Sequence, residues 1–290
     1  MKKVNKVIIP VAGLGTRMIP ATKSIPKEML PIFDKPLIQI IVEEAIQAGF
    51  KNIIFVTHKN KSSIIDHFKK NLELEISLKK KKSKFLLKEL NKLSKFNSYI
   101  STVEQEEIKG LGHAILCAKD LILDENFAVM LPDMIISYGR KKNFFEMKKN
   151  FEEYGNSSIL LSKVEKSEVQ NYGIAKFKKG IKTDNFFQLE EIVEKPLPNK
   201  STSNLAAVGR YIFDNELLRF LSIEKPDSSG EIQLSGAISS FMKTKKKING
   251  LILDGEFHDC GSKSGYIIAN LAFSMKDKSV KKEVLKYLNK

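Results

Sequence analysis

Short apolar runs of four to seven residues alternate along this chain with segments of helical period, and that alternation leaves few folds open. Val7–Val11, Ile53–Thr57 and Phe127–Leu131 are apolar almost throughout, as strands buried on both faces must be, and Tyr99–Val103 is expected to be a further strand. Between the first two, Leu37, Ile38, Ile41, Val42, Ala45 and Ile46 recur every three or four residues, with Pro36 at the start and Gly49 at the end. Parallel strands need such crossovers. The pattern predicts an α/β protein with a mostly parallel central sheet flanked by helices. Beyond Ser157 the expected strands are Ser158–Val164, Gly173–Phe177, Phe187–Val193, Ala207–Phe213 and Ile248–Leu253, with helices near Asn215 and Ile232 and a helical C-terminus over 263–290. The lysine-rich stretch from Lys69 to Phe96 is too apolar for a linker and is predicted to form a small insertion of two helices. Its run Lys79–Lys82 reads as a solvated helix end or turn.

The formal net charge of +15 raises the question of a nucleic-acid or membrane partner. Forty-five of the 49 basic residues are lysine, however, whereas groove-reading proteins lean on the arginine fork. Neither partner is expected. Cys117 and Cys260 stand far apart without a CxxC spacing, which predicts a reducing, cytoplasmic setting. Pro10 and Gly13 cut short the only early apolar run, so no signal peptide is expected, and nowhere do about 18 apolar residues follow one another.

The loop after the first strand, Val11-Ala-Gly-Leu-Gly-Thr-Arg-Met-Ile-Pro-Ala-Thr-Lys-Ser-Ile-Pro-Lys-Glu-Met-Leu-Pro31, combines a glycine turn with three cations, Arg17, Lys23 and Lys27. Gly13 and Gly15 let the backbone approach an anion, and their amides can form a nest for phosphate oxygens. Arg17 offers a two-pronged grip and Lys27 a movable point charge. Met18 stands where a dinucleotide fingerprint needs its third glycine, and no Gly-Lys-Ser/Thr follows, so the loop is neither a Rossmann fingerprint nor a P-loop. The string resembles the signature of sugar nucleotidyltransferases. Ile25-Pro-Lys-Glu-Met-Leu-Pro31 is similar, most specifically, to the bacterial UTP:glucose-1-phosphate uridylyltransferases, and the resemblance continues through Ser203–Ala206, Glu231–Leu234 and His258–Gly261.

That resemblance implies a Rossmann-like nucleotidyltransferase fold in one domain, with a nucleotide-binding half over about 1–135 and a sugar-phosphate half over about 136–262. It implies attack of glucose 1-phosphate on the α-phosphorus of UTP, releasing pyrophosphate, with magnesium as cofactor and a homodimer or homotetramer as the assembly. In such a reaction two anions must meet, so neutralising cations and in-line positioning carry the catalysis. Asp133, after an apolar strand in Leu131-Pro132-Asp133, is a hard oxygen donor of the kind magnesium selects, although an aspartate after proline is also an ordinary turn residue. The resemblance places Asp259 opposite it on the same ion. It gives Lys195 the sugar phosphate, Glu194 the sugar hydroxyls, and Gly173 and Gly209 a close approach to the hexose, though a turn and a bulge explain those glycines equally well. Gln105 and the Gly110 amide complement the pairing edge of uracil, and equally that of thymine. Ala12, Gly13 and Glu28 complete the nucleoside pocket by the same analogy. His258 and Cys260 lack the spaced partners of a zinc site, so Cys260 is expected to be packing.

Two departures stand out. Glu104, Glu106 and Glu107 put three negative charges beside the proposed base pocket, and Gly236 replaces an aspartate usual in relatives. A dTTP-dependent or other hexose-phosphate transferase is the nearest alternative reading; an idle UDP-sugar-binding paralogue is the more distant one.

Overall fold

Successive residues of a strand face opposite sides of a sheet, so an unbroken apolar run builds two cores at once. The computed structural model describes residues 2–183, 185–244 and 246–289. In it β1 (Val4–Pro10) sends Val7 and Ile9 into one apolar layer and Ile8 into the other. The remaining strands are β2 (Pro31–Ile32), β3 (Lys35–Pro36), β4 (Asn52–Thr57), β5 (Ile100–Glu104), β6 (Asn126–Met130), β7 (Met134–Tyr138), β8 (Ser157–Lys163), β9 (Gly173–Thr183), β10 (Phe186–Glu194), β11 (Leu205–Phe213), β12 (Ile248–Ile252) and β13 (Gly255–Asp259). Nine of them form one sheet in the order β5-β4-β1-β6-β11-β8-β12-β10-β9.

The half that holds β1, β4, β5 and β6 is parallel throughout, as the crossover pattern predicts. In the other half β10 and β11 run against the remaining strands. Among the described residues no α-helix lies between β9 and β11, and strands without a crossover between them pair antiparallel. Helix Leu37–Gln47 buries Leu37, Ile38, Ile41, Val42 and Ala45 against one face. Helix Asn143–Tyr154, absent from the elements expected above, lays Phe144, Met147 and Phe151 on that same face and stops at Gly155 in the left-handed conformation. Helices Gly110–Cys117 and Leu234–Lys243 cover the opposite face. The 69–96 stretch forms helices Leu72–Lys80 and Lys84–Lys95, and the Lys79–Lys82 run falls on the turn between them. The C-terminal segment divides into Lys263–Ser274 and Lys278–Leu288, because the Asp277 carboxylate accepts from the Ser279 and Val280 amides and caps a new helix.

The carboxyl ends of β1, β4, β5 and β6 open on one rim, the side where open α/β sheets hold ligands. A separate antiparallel pair, β7 with β13, sets Asp259 opposite Met134, and the Cys260 amide donates to the Asp133 carbonyl at 2.8 Å. Together these two features bring both aspartates to the same rim.

Beneath the rim Arg210 is fully buried, with Nε 2.8 Å and Nη2 2.7 Å from the two oxygens of Glu44, while the Tyr138 hydroxyl donates to Glu44 at 2.5 Å. This network ties β11 and β7 to helix Leu37–Gln47. Removing one partner of such a pair strands a charge in the interior, which costs about 3–5 kcal/mol. Arg210→Leu is therefore expected to lower unfolding free energy by about that amount in a urea titration.

Candidate active site

The rim opens into a cleft of about 570 Å³. The two loop glycines serve different ends. A Cβ on Gly13 would meet nothing within 4 Å, so the missing side chain keeps the cleft open; Gly15 has φ 68°, which a side chain rarely tolerates. Lys61 Nζ donates to the Gly13 carbonyl at 2.5 Å and the Thr22 hydroxyl to the Gly15 carbonyl at 2.8 Å. In a trans peptide the next N–H points away from the carbonyl, so these bonds turn the Leu14 and Thr16 amides outward from those anchors. That is the orientation an anion nest needs.

At the centre of the cleft four charges meet. Lys27 Nζ lies 2.6 Å from Asp133 Oδ2, and Arg17 Nη1 lies 3.8 Å from Asp259 Oδ2. A Cβ built on Gly261 would fall 3.1 Å from Asp133 Oδ2, 2.9 Å from Asp259 Oδ1 and 2.5 Å from Arg17 Nη2, so those carboxylate oxygens are no more than about 6 Å apart. Burial opposes ionisation of both aspartates. At Asp133 the Lys27 ammonium outweighs it and holds the carboxyl below the usual range; at Asp259 burial and the Asp133 charge prevail and push it up. Two hard oxygen donors at this separation, open to the cleft, fit a divalent cation that takes its other ligands from water and phosphate. Among the described residues no cluster of three or more such side chains forms a closed metal cage.

The far wall comes from β9 and β10. Glu194 pairs across the ladder with Gly173, where a Cβ would stand 3.3 Å from Glu194 Oε2. Lys195 follows with φ 44°, a strained conformation for a lysine, held by its amide donating to the Tyr172 carbonyl at 3.0 Å. This bend leaves its ammonium half-exposed, 3.6 Å from Glu194. Tyr172 also lines the cleft, and burial, with the charges of Asp259 and Glu168 behind it, pushes its phenol up to about 12. At the other end the buried Gln105 side chain donates to His113 Nδ1 at 3.0 Å and to the Gly110 carbonyl at 3.3 Å.

Ala12, Gly13, Arg17, Lys27, Gln105, Gly110, Asp133, Gly173, Glu194, Lys195 and Asp259 all line this one cleft. Gly15, Glu28 and Gly209 lie outside its lining. Gly15 shapes the loop. Gly209, with φ 72°, sits where the β11–β8 register shifts, and a Cβ there would fall 2.8 Å from the Leu131 side chain. Glu28, expected on the nucleoside wall, is 1% exposed and lies below it, 2.9 Å from Lys61. Of the acidic departures Glu104, Glu106 and Glu107 are exposed while Gln105 between them is buried, and Glu107 pairs with Lys109. Cys260 is fully buried in the core. Lys61 stands behind the cleft without any signal in the sequence, and His113, part of the Gly110–Ala114 segment expected at the base, meets Gln105 rather than the cleft itself. Lysine is too common here for one to stand out, and His113 matches no ligand spacing.

A glycine loop, two cations and two convergent carboxylates at the carboxyl ends of parallel strands define an enzyme that works on phosphate groups. The chain belongs to the nucleotidyl transferase family, whose profile matches residues 6–275. It is 40% identical over 289 residues to the UTP--glucose-1-phosphate uridylyltransferase of Haemophilus influenzae, covering 98% of this chain and 97% of that one. The protein of the same name from Escherichia coli K12 is 41% identical, covering 99% and 95%. A UTP-bound UGPase from Acinetobacter baumannii superposes with a TM-score of 0.89 at 36% identity, covering 100% of this chain and 99% of that one.

Burial raises the Glu28 pKa even against the opposing Lys61 charge, and burial lowers that of Lys61. Lys61→Met removes the counter-charge, so the Glu28 carboxyl should titrate higher still. A carboxyl whose folded pKa exceeds its unfolded one favours the fold at low pH and loses that advantage as pH rises through the folded value. The stability deficit of Lys61→Met against wild type should accordingly be several kcal/mol near pH 8 and shrink towards pH 5 in denaturant titrations at both.

Proposed function

We propose that this chain transfers the uridylyl group of UTP to α-D-glucose 1-phosphate, forming UDP-glucose and pyrophosphate. The observation that carries the reading is the meeting of Asp133, Asp259, Lys27 and Arg17 in one cleft whose opposite wall presents Glu194 and Lys195. Family membership and near-full-length similarity to uridylyltransferases support it.

In this reading a phosphate oxygen of the sugar phosphate attacks the α-phosphorus in line, and the bond to the β-phosphate oxygen breaks as pyrophosphate leaves. No side-chain nucleophile takes part. Lys195 holds the attacking phosphate, with its backbone bend aiming the ammonium, and Glu194 accepts from sugar hydroxyls beside Gly173. The outward amides of the Gly13 loop and the Arg17 fork hold the triphosphate. Lys27, parked against Asp133 in the free protein, is placed to shift its charge to phosphate. Gln105 and Gly110 read the base, with Ala12 and Gly13 along the nucleoside. Asp133 and Asp259 would hold a divalent cation, magnesium by their hard donors, and when bound it supplies charge neutralisation of the phosphates. Gly209 and Glu28 act indirectly, through the bulge behind Leu131 and through Lys61.

No helix among the described residues is long and apolar enough to cross a membrane. The reading includes a cytoplasmic setting, supported by two unpaired cysteines, and a homodimer or homotetramer, supported by the exposed Ile267, Ile268 and Leu271 of helix Lys263–Ser274. Division into a nucleotide half over 1–135 and a sugar-phosphate half over 136–262 follows the two walls of the cleft.

Pyrophosphate release with glucose 1-phosphate should favour UTP over dTTP, ATP and GTP; a clear preference for another triphosphate rejects the assignment. Asp133→Ala is expected to lower kcat at least about a hundredfold. Asp259→Asn should raise the magnesium concentration needed for half-maximal rate, and an unchanged metal titration removes Asp259 from the cation site.

A further inference from the structure

We propose that His113 is a positioning residue that makes the nucleotide pocket accept a uracil-type edge and reject a cytosine-type edge, by fixing which end of the Gln105 amide faces the ligand. The proposal rests on Gln105 being the base reader. It goes beyond that reading because it assigns the discrimination to a residue behind Gln105.

The geometry leaves one arrangement. Gln105 Nε2 is 3.3 Å from the Gly110 carbonyl oxygen, which can only accept, so the amide nitrogen must be the atom facing it. The same nitrogen lies 3.0 Å from His113 Nδ1, so Nδ1 must be a bare acceptor and the neutral ring carries its proton on Nε2. Turning the amide over would set its oxygen against the Gly110 carbonyl oxygen, a clash that no tautomer of His113 relieves. Gly110 and His113 lie one turn apart on helix Gly110–Cys117, so both acceptors approach from one rigid element. That helix start is itself pinned: the Gly112 amide donates to the Ile232 carbonyl and the Ile232 amide to the Lys109 carbonyl, each at 2.8 Å. Cys117 Sγ is 3.9 Å from both ring nitrogens and favours neither.

With both amide hydrogens committed, Gln105 offers the ligand only its carbonyl oxygen. Uracil and thymine donate a ring N–H from the middle of their pairing edge, and that N–H satisfies the oxygen. Cytosine presents a bare ring nitrogen there, whose lone pair would oppose it. A buried site built for a donor rejects the analogue that lacks it much more strongly than it rewards the correct one.

Two measurements test this. With imidazole 15N-labelled, long-range proton–nitrogen correlation at alkaline pH should show His113 protonated on Nε2; the Nδ1–H tautomer overturns the proposal. In kinetics, His113→Leu should raise KM for UTP and lower the UTP-over-CTP ratio of kcat/KM at least about tenfold, the loss lying in KM rather than kcat. His113→Asn, which restores an acceptor near the Nδ1 position, should recover most of the ratio. An unchanged ratio in His113→Leu, or a loss that His113→Asn does not repair while its thermal midpoint matches wild type, overturns the role of His113. Gln105→Leu separates the layers: if it too leaves KM for UTP and the ratio unchanged, the reading of Gln105 as base reader fails, whereas an effect of Gln105→Leu alone removes only His113.

Discussion

Two carboxylates that share one space repel each other, and the centre of this protein is organised around holding that repulsion. At about 6 Å and an effective dielectric near 20, two like charges cost roughly 3 kcal/mol. The backbone enforces the approach, because the β7–β13 ladder and the Cys260 amide on the Asp133 carbonyl leave the two residues nowhere else to go. Lys27 at 2.6 Å then settles Asp133 as an anion, whereas at Asp259 burial first and the Asp133 charge second push the pKa up against Arg17 at 3.8 Å and the Gly261 amide. The pair is thus already asymmetric before any ligand arrives. A cation would relieve the repulsion and release Lys27 in one event.

Around this centre the buried charges are of two kinds. Arg210 with Glu44 lies beneath the rim and joins strands to a helix, facing no ligand. Lys61 with Glu28 lies just under the glycine loop, and its bond to the Gly13 carbonyl links a structural pair to the phosphate floor. The excess of positive charge over the whole chain has little part in either. Lys27, Lys61 and Lys195 are set apart by where the fold places them, and at 104–107 the three glutamates are exposed while Gln105 is buried.

What the sequence makes legible is local. The glycine loop, the parallel strands and the helix over 37–47 are written in consecutive residue types, and they stand within a few residues of their expected places. The antiparallel half is less legible, since an apolar run does not state its direction. Helix Asn143–Tyr154 is not named among the expected elements, although Phe144, Met147 and Phe151 stand at the i, i+3, i+7 spacing of a buried helical face. In the site, Asp133 alone reads no better than a turn residue; only the pairing with a strand more than a hundred residues later gives it a partner. Gly209 and Glu28 show the converse, since a bulge glycine and a buried acid look from sequence the same as ligand contacts. Lys61 meets Glu28 and the Gly13 carbonyl, and nothing in a single sequence marks such a contact.

The pairing of β7 with β13 has a consequence for the timing of assembly. The loop, the first parallel strands and Asp133 all belong to the earlier half of the polypeptide, yet the second acid arrives on the last strand to be synthesised. A nascent chain released as far as β12 therefore carries an anion cradle but no completed centre. Termination of synthesis upstream of residue 259 yields a chain without the second acid of that pair.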